Sequence, residues 1–224
     1  MKKTTMVCAA LLITAMLPLR AKADMFDFSF SGSGVSGTVQ LTYGSATDAK
    51  YPNAFEVTGI SGTFSDSNNG LNIVDASILS LVPINHATPE SSNLLAPDDF
   101  SRFAVANGLP AQENGFLTYD NLYWPGGSPQ TASDYPLHGG FLDIYGLMFN
   151  IDGGDVVDLW SNGTITGSGD GPIYGVAVAT SDQALDYEGN LSVSTPEPSA
   201  LLMLSFGVFG LAGMLRRKSK LVSQ

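Results

Sequence analysis

The side chains of this 224-residue chain that could do chemistry are mostly carboxylates. Asp152-Gly153-Gly154-Asp155 brings two of them, with flexible main-chain carbonyls, into one turn, and such hard oxygen donors suit Ca²⁺. The spacing lacks the alternating acids and closing glutamate of an EF-hand loop, and it does not recur as in a calcium-binding β-roll. Asp152 and Asp155 are therefore the calcium candidates, and no other metal or cofactor is indicated. Asp98-Asp99 and Asp152/Asp155/Asp158 are the densest acidic groups. A glycosidase needs two carboxylates facing each other across a sugar. With 21 acids in the chain, some pair meets such a separation by chance, and solvated strand and loop acids are the simpler reading. His86 and His138 are far apart, whereas catalytic zinc takes three protein ligands. No Gly-x-Ser-x-Gly elbow accompanies either histidine to suggest a serine triad. No catalytic residue is assigned, and the chain reads as a non-enzyme. Among the closely spaced aromatics Tyr119, Tyr123, Trp124, Tyr135 and Tyr145, Trp124 precedes Pro125-Gly126-Gly127. It is the ring that could stack on a sugar, the alternative being that these rings are core.

The elements that would position these residues read as strands. Phe26, Phe28 and Phe30 alternate with Asp27 and Ser29, and Val39, Leu41 and Tyr43 alternate with polar neighbours, the two-residue period of a half-buried strand. Phe55 and Val57 enclose Glu56 in the same way. Further strand candidates are 71–74, 78–82, 115–119, 141–149, 156–160, 164–166, 173–179 and 189–194. Asn69-Gly70, Asn162-Gly163, Asp152-Gly153-Gly154 and Gly169-Asp170-Gly171 supply the positive φ of tight turns. One short helix could start at Asp98-Asp99 and run through Phe103-Ala104. Sequential strands without a long amphipathic helix predict an all-β fold, an antiparallel β-sandwich or jelly-roll-like ectodomain over 24–194.

The two ends of the chain differ from its middle. Lys2-Lys3, an apolar run from Val7 to Leu19, and Ala21-Lys22-Ala23 make a signal peptide over 1–23, cut after Ala23. Its Cys8 is the single cysteine, so the remainder has no disulfide and no thiol chemistry. Eight of the ten basic residues lie in the two ends. Segment 24–198 holds all 21 acids against Lys50 and Arg102, a net charge of about −19. Such a surface repels nucleic acid, which needs a basic patch to displace phosphate counterions.

At the other end, Ser199–Leu215 is uncharged, and at about 1.5 Å per residue it spans roughly 26 Å as a helix. Arg216, Arg217 and Lys218 form a basic stop that places the C-terminus in the cytoplasm and the acidic domain outside. Pro196-Glu197-Pro198 precedes this single transmembrane helix, and its prolines hold the chain extended. In this order, Pro196-Glu197-Pro198, a span containing Gly207 and Gly210, and the basic cluster 216–220 resemble the PEP-CTERM sorting signal of Gram-negative-type bacteria, here 195–220. Thr195 stands where valine is common, and the chain runs on past the basic cluster. The resemblance implies transient anchoring in the inner membrane and recognition by exosortase, a membrane-embedded cysteine transpeptidase-like enzyme. It also implies cleavage near Pro196–Pro198 and release to the cell surface or extracellular matrix, in association with exopolysaccharide and biofilm. Phe26-Asp27-Phe28-Ser29-Phe30-Ser31-Gly32, Gly59–Phe64, Tyr119–Gly126 and Tyr145–Phe149 resemble ectodomains that precede this signal. The expected partners are signal peptidase, exosortase and exopolysaccharide. A carbohydrate-binding module or a polysaccharide hydrolase are the alternatives to a non-enzymatic surface component.

Overall fold

The computed structural model describes residues 23–68, 70–85, 104–105, 117–130, 137–164, 171–180 and 186–195. The signal peptide before Ala23, the helix proposed at 199–215 and its basic stop lie outside these residues, as do His86, Asp98, Asp99 and Tyr135.

Eight long strands carry the fold. β1 (Asp24–Gly32), β2 (Val35–Thr47), β3 (Phe55–Asp66) and β4 (Ile73–Leu81) form one meander. β8 (Leu147–Ile151), β9 (Val156–Gly163), β10 (Ile173–Ala179) and β11 (Asp186–Ser194) form a second. Between them lie three short pieces, β5 (Ala104–Val105), β6 (Thr118–Tyr119) and β7 (Leu122–Tyr123). Every pairing is antiparallel. β4 pairs with β8 and β1 with β11, so the two meanders join at both margins and the ring closes.

The architecture is therefore an eight-stranded antiparallel barrel, which corrects the sandwich or jelly roll expected from the pattern. Alternation of apolar and polar residues is the same in both folds. Closure is decided by strand length and bending, which alternation does not encode. β2 and β3 pair from Val35↔Asp66 to Thr47↔Phe55, with register shifts at Thr42/Tyr43 and Tyr43/Thr47. Such bulges bend a strand and raise its twist, and closure removes the free edges of the sheet.

Several boundaries also shift. The expected strands 71–74 and 78–82 overlap a single strand, β4, which runs without a break from Ile73 to Leu81. Of the expected 141–149 region only 147–149 are strand, and β8 runs on to Ile151. Ala104, expected in a helix, is in β5 opposite Tyr119, and no helix occurs among the described residues. Gly163 ends β9 at φ +71 and Thr164 N donates to His138 O, so Asn162-Gly163 is a close backbone approach rather than a hairpin turn. The tight β1–β2 turn is instead Ser33-Gly34, with φ of +51 and +82, the primed-turn geometry that suits twisted strands.

The barrel interior is packed. Phe28, Phe30, Leu41, Phe64, Phe149, Val157 and Leu159 are all buried in it, filling a small barrel as eight strands require. β8–β10 are buried on their outer face as well, where Met148, Val156, Ala177 and Ala179 pack against Leu117, Tyr119, Val82 and Ile84. The run Val176-Ala177-Val178-Ala179 is apolar without alternation for this reason. Residues 82–84 and 117–119 thus form a strap over the outside of the second meander.

Candidate functional site

The C-terminal strand places the start of the tail. β11 runs antiparallel to β1 with Ser29↔Ser194, Phe30↔Val193 and Ser31↔Ser192. The Ser29 and Ser194 hydroxyls are hydrogen-bonded at 2.8 Å. β1 begins at Asp24, and the exposed Ala23 precedes it. Ala23 lies six residues back along β1 from Ser29, about 20 Å at 3.4 Å per residue. Because β11 points back along β1, the chain leaves at Thr195 toward the pole at which Ala23 stands.

That pole is closed by rings. Phe26 lies 4.6 Å from Tyr123 and 5.0 Å from Phe141 between ring centroids, and Tyr43 lies 4.8 Å from Tyr123. Burial raises the Tyr123 phenol to about 12, with Tyr43 adding to the shift. Burial and then the Asp24 charge raise Tyr43. Both phenols therefore stay neutral under ordinary conditions and act as packing groups with a polar tip.

An open groove of about 630 Å³ runs from the end of β11 across the outer face of β1, β2 and β3. Ser194 and Thr195 form one end, and Asp27, Ser29, Thr38, Gln40 and Ser61 line the rest. Alternation places these polar side chains outward while Phe28 and Val39 turn to the core. Gln40 Nε2 donates to Asp27 Oδ1 at 2.8 Å, and the Thr38 and Thr63 hydroxyls meet at 3.0 Å. Each hydroxyl can both donate and accept, so the groove offers both roles to a polar ligand.

The other sequence candidates are distributed differently. Asp152-Gly153-Gly154-Asp155 is the β8–β9 turn, with Gly153 and Gly154 at φ +100 and +91 and Ile151 N donating to Asp155 O. Asp152 is exposed and Asp155 half-buried. No group of three His, Cys, Asp or Glu side chains able to hold a metal occurs among the described residues. Asp158, grouped with them by spacing, is on β9 and is only 3% exposed. Trp124 is 3% exposed, packed with Ala54 and Leu122 and edge-on to Tyr51 at 5.2 Å. Its ring has no open face for a sugar. Tyr119, Tyr123 and Tyr145 are buried too, so the described part of the aromatic run is core. His138 is exposed on a segment tied to β9 through its main chain. Ala21 and the motif residues Pro196, Glu197, Pro198, Arg216, Arg217 and Lys218 lie outside the described residues.

Two functional-looking groups escape a reading by spacing. Asp143 and Asp158 are both buried and electrostatically coupled, though fifteen positions apart in sequence. The available signal was an acid embedded in an apolar run, Val156-Val157-Asp158-Leu159-Trp160. Asn121 is the other, at φ +52: its amide donates to Val82 O at 2.9 Å and its Oδ1 accepts from Met148 N at 2.9 Å. It pins the strap to β8.

The tail decides what kind of chain this is. The family described as PEP-CTERM protein-sorting motif matches residues 194–218. The chain is a PEP-CTERM domain-containing protein. Export, C-terminal membrane anchoring before processing, and processing by exosortase follow from that motif. No curated protein and no solved structure matches the chain. The PEP-CTERM match begins at Ser194, the last residue of β11, so the motif starts where the barrel ends.

Proposed function

We propose that this PEP-CTERM protein is a non-enzymatic component of the cell surface or extracellular matrix, associated with exopolysaccharide and biofilm. Signal peptidase cuts after Ala23, the helix 199–215 anchors the chain in the inner membrane with Arg216–Lys218 on the cytoplasmic side, and exosortase cuts near Pro196–Pro198. One observation carries the reading. β1 starts at Asp24 and β11 ends at Ser194, side by side in the closed ring. Both cuts therefore trim the chain at the margins of the barrel and remove no strand. Both exits face the same pole, the arrangement that lets a folded domain stand on a membrane by either end. The test is fractionation of the native host with and without its exosortase. The protein is expected in the medium or surface matrix of the first and in the inner membrane of the second. The same distribution in both strains would refute the reading.

The hydroxyl-lined groove favours a second reading, a carbohydrate-binding module. Its lining holds one carboxylate and no basic side chain, which suits an uncharged polyhydroxylated chain better than an anionic one. Binding of the host's own polymer that weakens in Gln40→Ala and Thr38→Ala, with unchanged melting temperature, would support it. A polysaccharide hydrolase is less well supported: the acids Asp143 and Asp158 are both buried rather than open to a sugar.

A further inference from the structure

Anchoring of the chain before processing bears on which part of the barrel meets the membrane. Ser194 stands beside Ser29, and β11 points along β1 toward Asp24. From Ser29 to Asp24 is five residue steps, about 17 Å of strand. From Ser194 to Ser199, where the uncharged segment 199–215 begins, is also five steps, about 18 Å at full extension. A membrane anchor that starts at Ser199 is therefore level with Asp24 when the chain keeps the direction of β11. To bring the opposite pole down, the chain would have to reverse directly after Ser194. Pro196 and Pro198 oppose that reversal, because each biases the residue before it, Thr195 or Glu197, toward an extended conformation.

The two poles differ in chemistry. At the pole where β1 begins, Met25 is 54% exposed, and Phe26, Tyr43, Tyr51, Phe55 and Phe141 are half-buried. The β2–β3 connection and the turn after Trp124 are exposed there at Pro52, Asn53, Pro125 and Gly126. Lys50, the one Lys or Arg among the described residues, is exposed in the same connection, 5.2 Å from the centre of the Tyr51 ring. Cleavage after Ala23 adds the α-amino group of Asp24. Of the acids at this pole, Asp24 is exposed and Glu56 half-buried, while Asp48 is turned inward, its Oδ1 accepting from Lys50 N at 2.9 Å and Tyr51 N at 3.0 Å. The opposite pole is made by the β1–β2, β3–β4 and β8–β9 turns. It carries Asp75, Asp152 and Asp155 beside one exposed apolar side chain, Val74, and no Lys or Arg among the described residues.

Aromatic rings with polar tips, long amphipathic side chains and cations are what seat a protein surface among lipid headgroups. We propose that the pole at which β1 begins is a docking surface for phospholipid headgroups, used while the tail holds the chain, an inference that rests on the anchored precursor of the proposed function. Met25 and the half-buried rings supply apolar contact. Lys50 and the new α-amino group face the anionic headgroups. Segment 24–198 has a net charge of about −19, so the walls and the opposite pole are repelled by the same lipids. Attraction at one pole and repulsion elsewhere orient the barrel pole-down. A weak surface contact and a membrane helix act together as two attachments, and a weak contact alone does not hold a protein on lipid. Cleavage near Pro196–Pro198 therefore frees the barrel although its docking surface is unchanged.

The experiment uses the full chain in membranes of the native host lacking exosortase. Cys8 is the single cysteine and leaves with the signal peptide, so one introduced cysteine carries a fluorescent label without background. Asn53→Cys and Gly126→Cys mark the docking pole, Ser61→Cys the wall and Ser67→Cys the opposite pole, all at exposed positions. Phospholipid bearing a nitroxide is expected to quench the labels at 53 and 126 and to leave those at 61 and 67 bright. Quenching at 61 or 67 instead, or at none of the four in protein that resists alkaline extraction from the membrane, overturns the proposal. Protein absent from the membrane fraction contradicts the anchored precursor itself, so the two failures are told apart. A long Gly-Ser insert between Thr195 and Pro196 then frees the barrel from its short tether. Quenching at Asn53→Cys is expected to persist in the lengthened chain and to be lost when Met25→Ser and Lys50→Glu are added, both at exposed positions outside the core. Loss on lengthening alone would mean that the tether and not the surface holds the pole at the lipid, and would overturn the proposal.

Discussion

Gly62 tests the closed barrel against a flatter pairing of the same strands. It lies in the middle of β3, opposite Val39 of β2 and Ile78 of β4, at φ +140. A Cβ built there would stand 1.9 Å from Thr38 O and 3.1 Å from the Val39 Cα, so Gly62→Ala must displace the β2 backbone. Holding an L residue at such a φ costs about 1–3 kcal/mol, and forcing atoms into a packed site about 1–3 kcal/mol more. The sum, about 2–6 kcal/mol, lowers the melting temperature of a domain of this size by roughly 5–20 °C. Gly70→Ala separates the two contributions, because Gly70 has φ +85 but nothing within 4 Å of its added Cβ. That control carries the conformational cost alone, about 1–2 kcal/mol, and should fall by roughly 2–8 °C. Thermal unfolding followed by circular dichroism measures both. Equal losses in the two variants would mean that β2 and β3 do not approach as the barrel requires, and would refute the reasoning.

Trp124→Ala removes a ring that is 3% exposed, so it should cost about 3–5 kcal/mol of stability and leave polysaccharide binding unaltered at temperatures where the protein is folded. Lost binding without lost stability would return Trp124 to the surface. Among the described residues, Asp152 and Asp155 alone bring carboxylates to the β8–β9 turn, fewer side-chain oxygens than the six to eight ligands that Ca²⁺ takes. Millimolar calcium should therefore leave the melting temperature of both wild type and Asp155→Asn unchanged. A rise seen in the wild type and lost in Asp155→Asn would establish a site there.

The class of the fold was legible because half-buried strands write their period into the sequence. Phe26, Phe28 and Phe30 face the core or the ring cluster at the pole, and Asp27 and Ser29 face the groove, as the alternation predicts. Closure was illegible because it depends on bulges near Tyr43 and on Gly62, which are conformations rather than compositions. Trp124 was misplaced for a related reason. A Trp before Pro125-Gly126-Gly127 reads as a loop tip, but Trp124 N donates to Phe141 O and its ring packs inward against Ala54, Leu122 and Tyr51 while Pro125 and Gly126 stay exposed. The buried pair needed two segments to be brought together, since nothing local joins Asp143 to Asp158. The sorting tail was the most legible part, because its recognition depends on order and composition near one end and not on tertiary contacts.

The central claim is that the native host trims this chain at both margins of a closed barrel. The intact mass of the protein recovered from the cell envelope and the medium measures this most directly. The expected species begins near Asp24 and ends near Pro196–Pro198. A mature species that retains Arg216–Gln224 would contradict it, and would make the tail a permanent anchor.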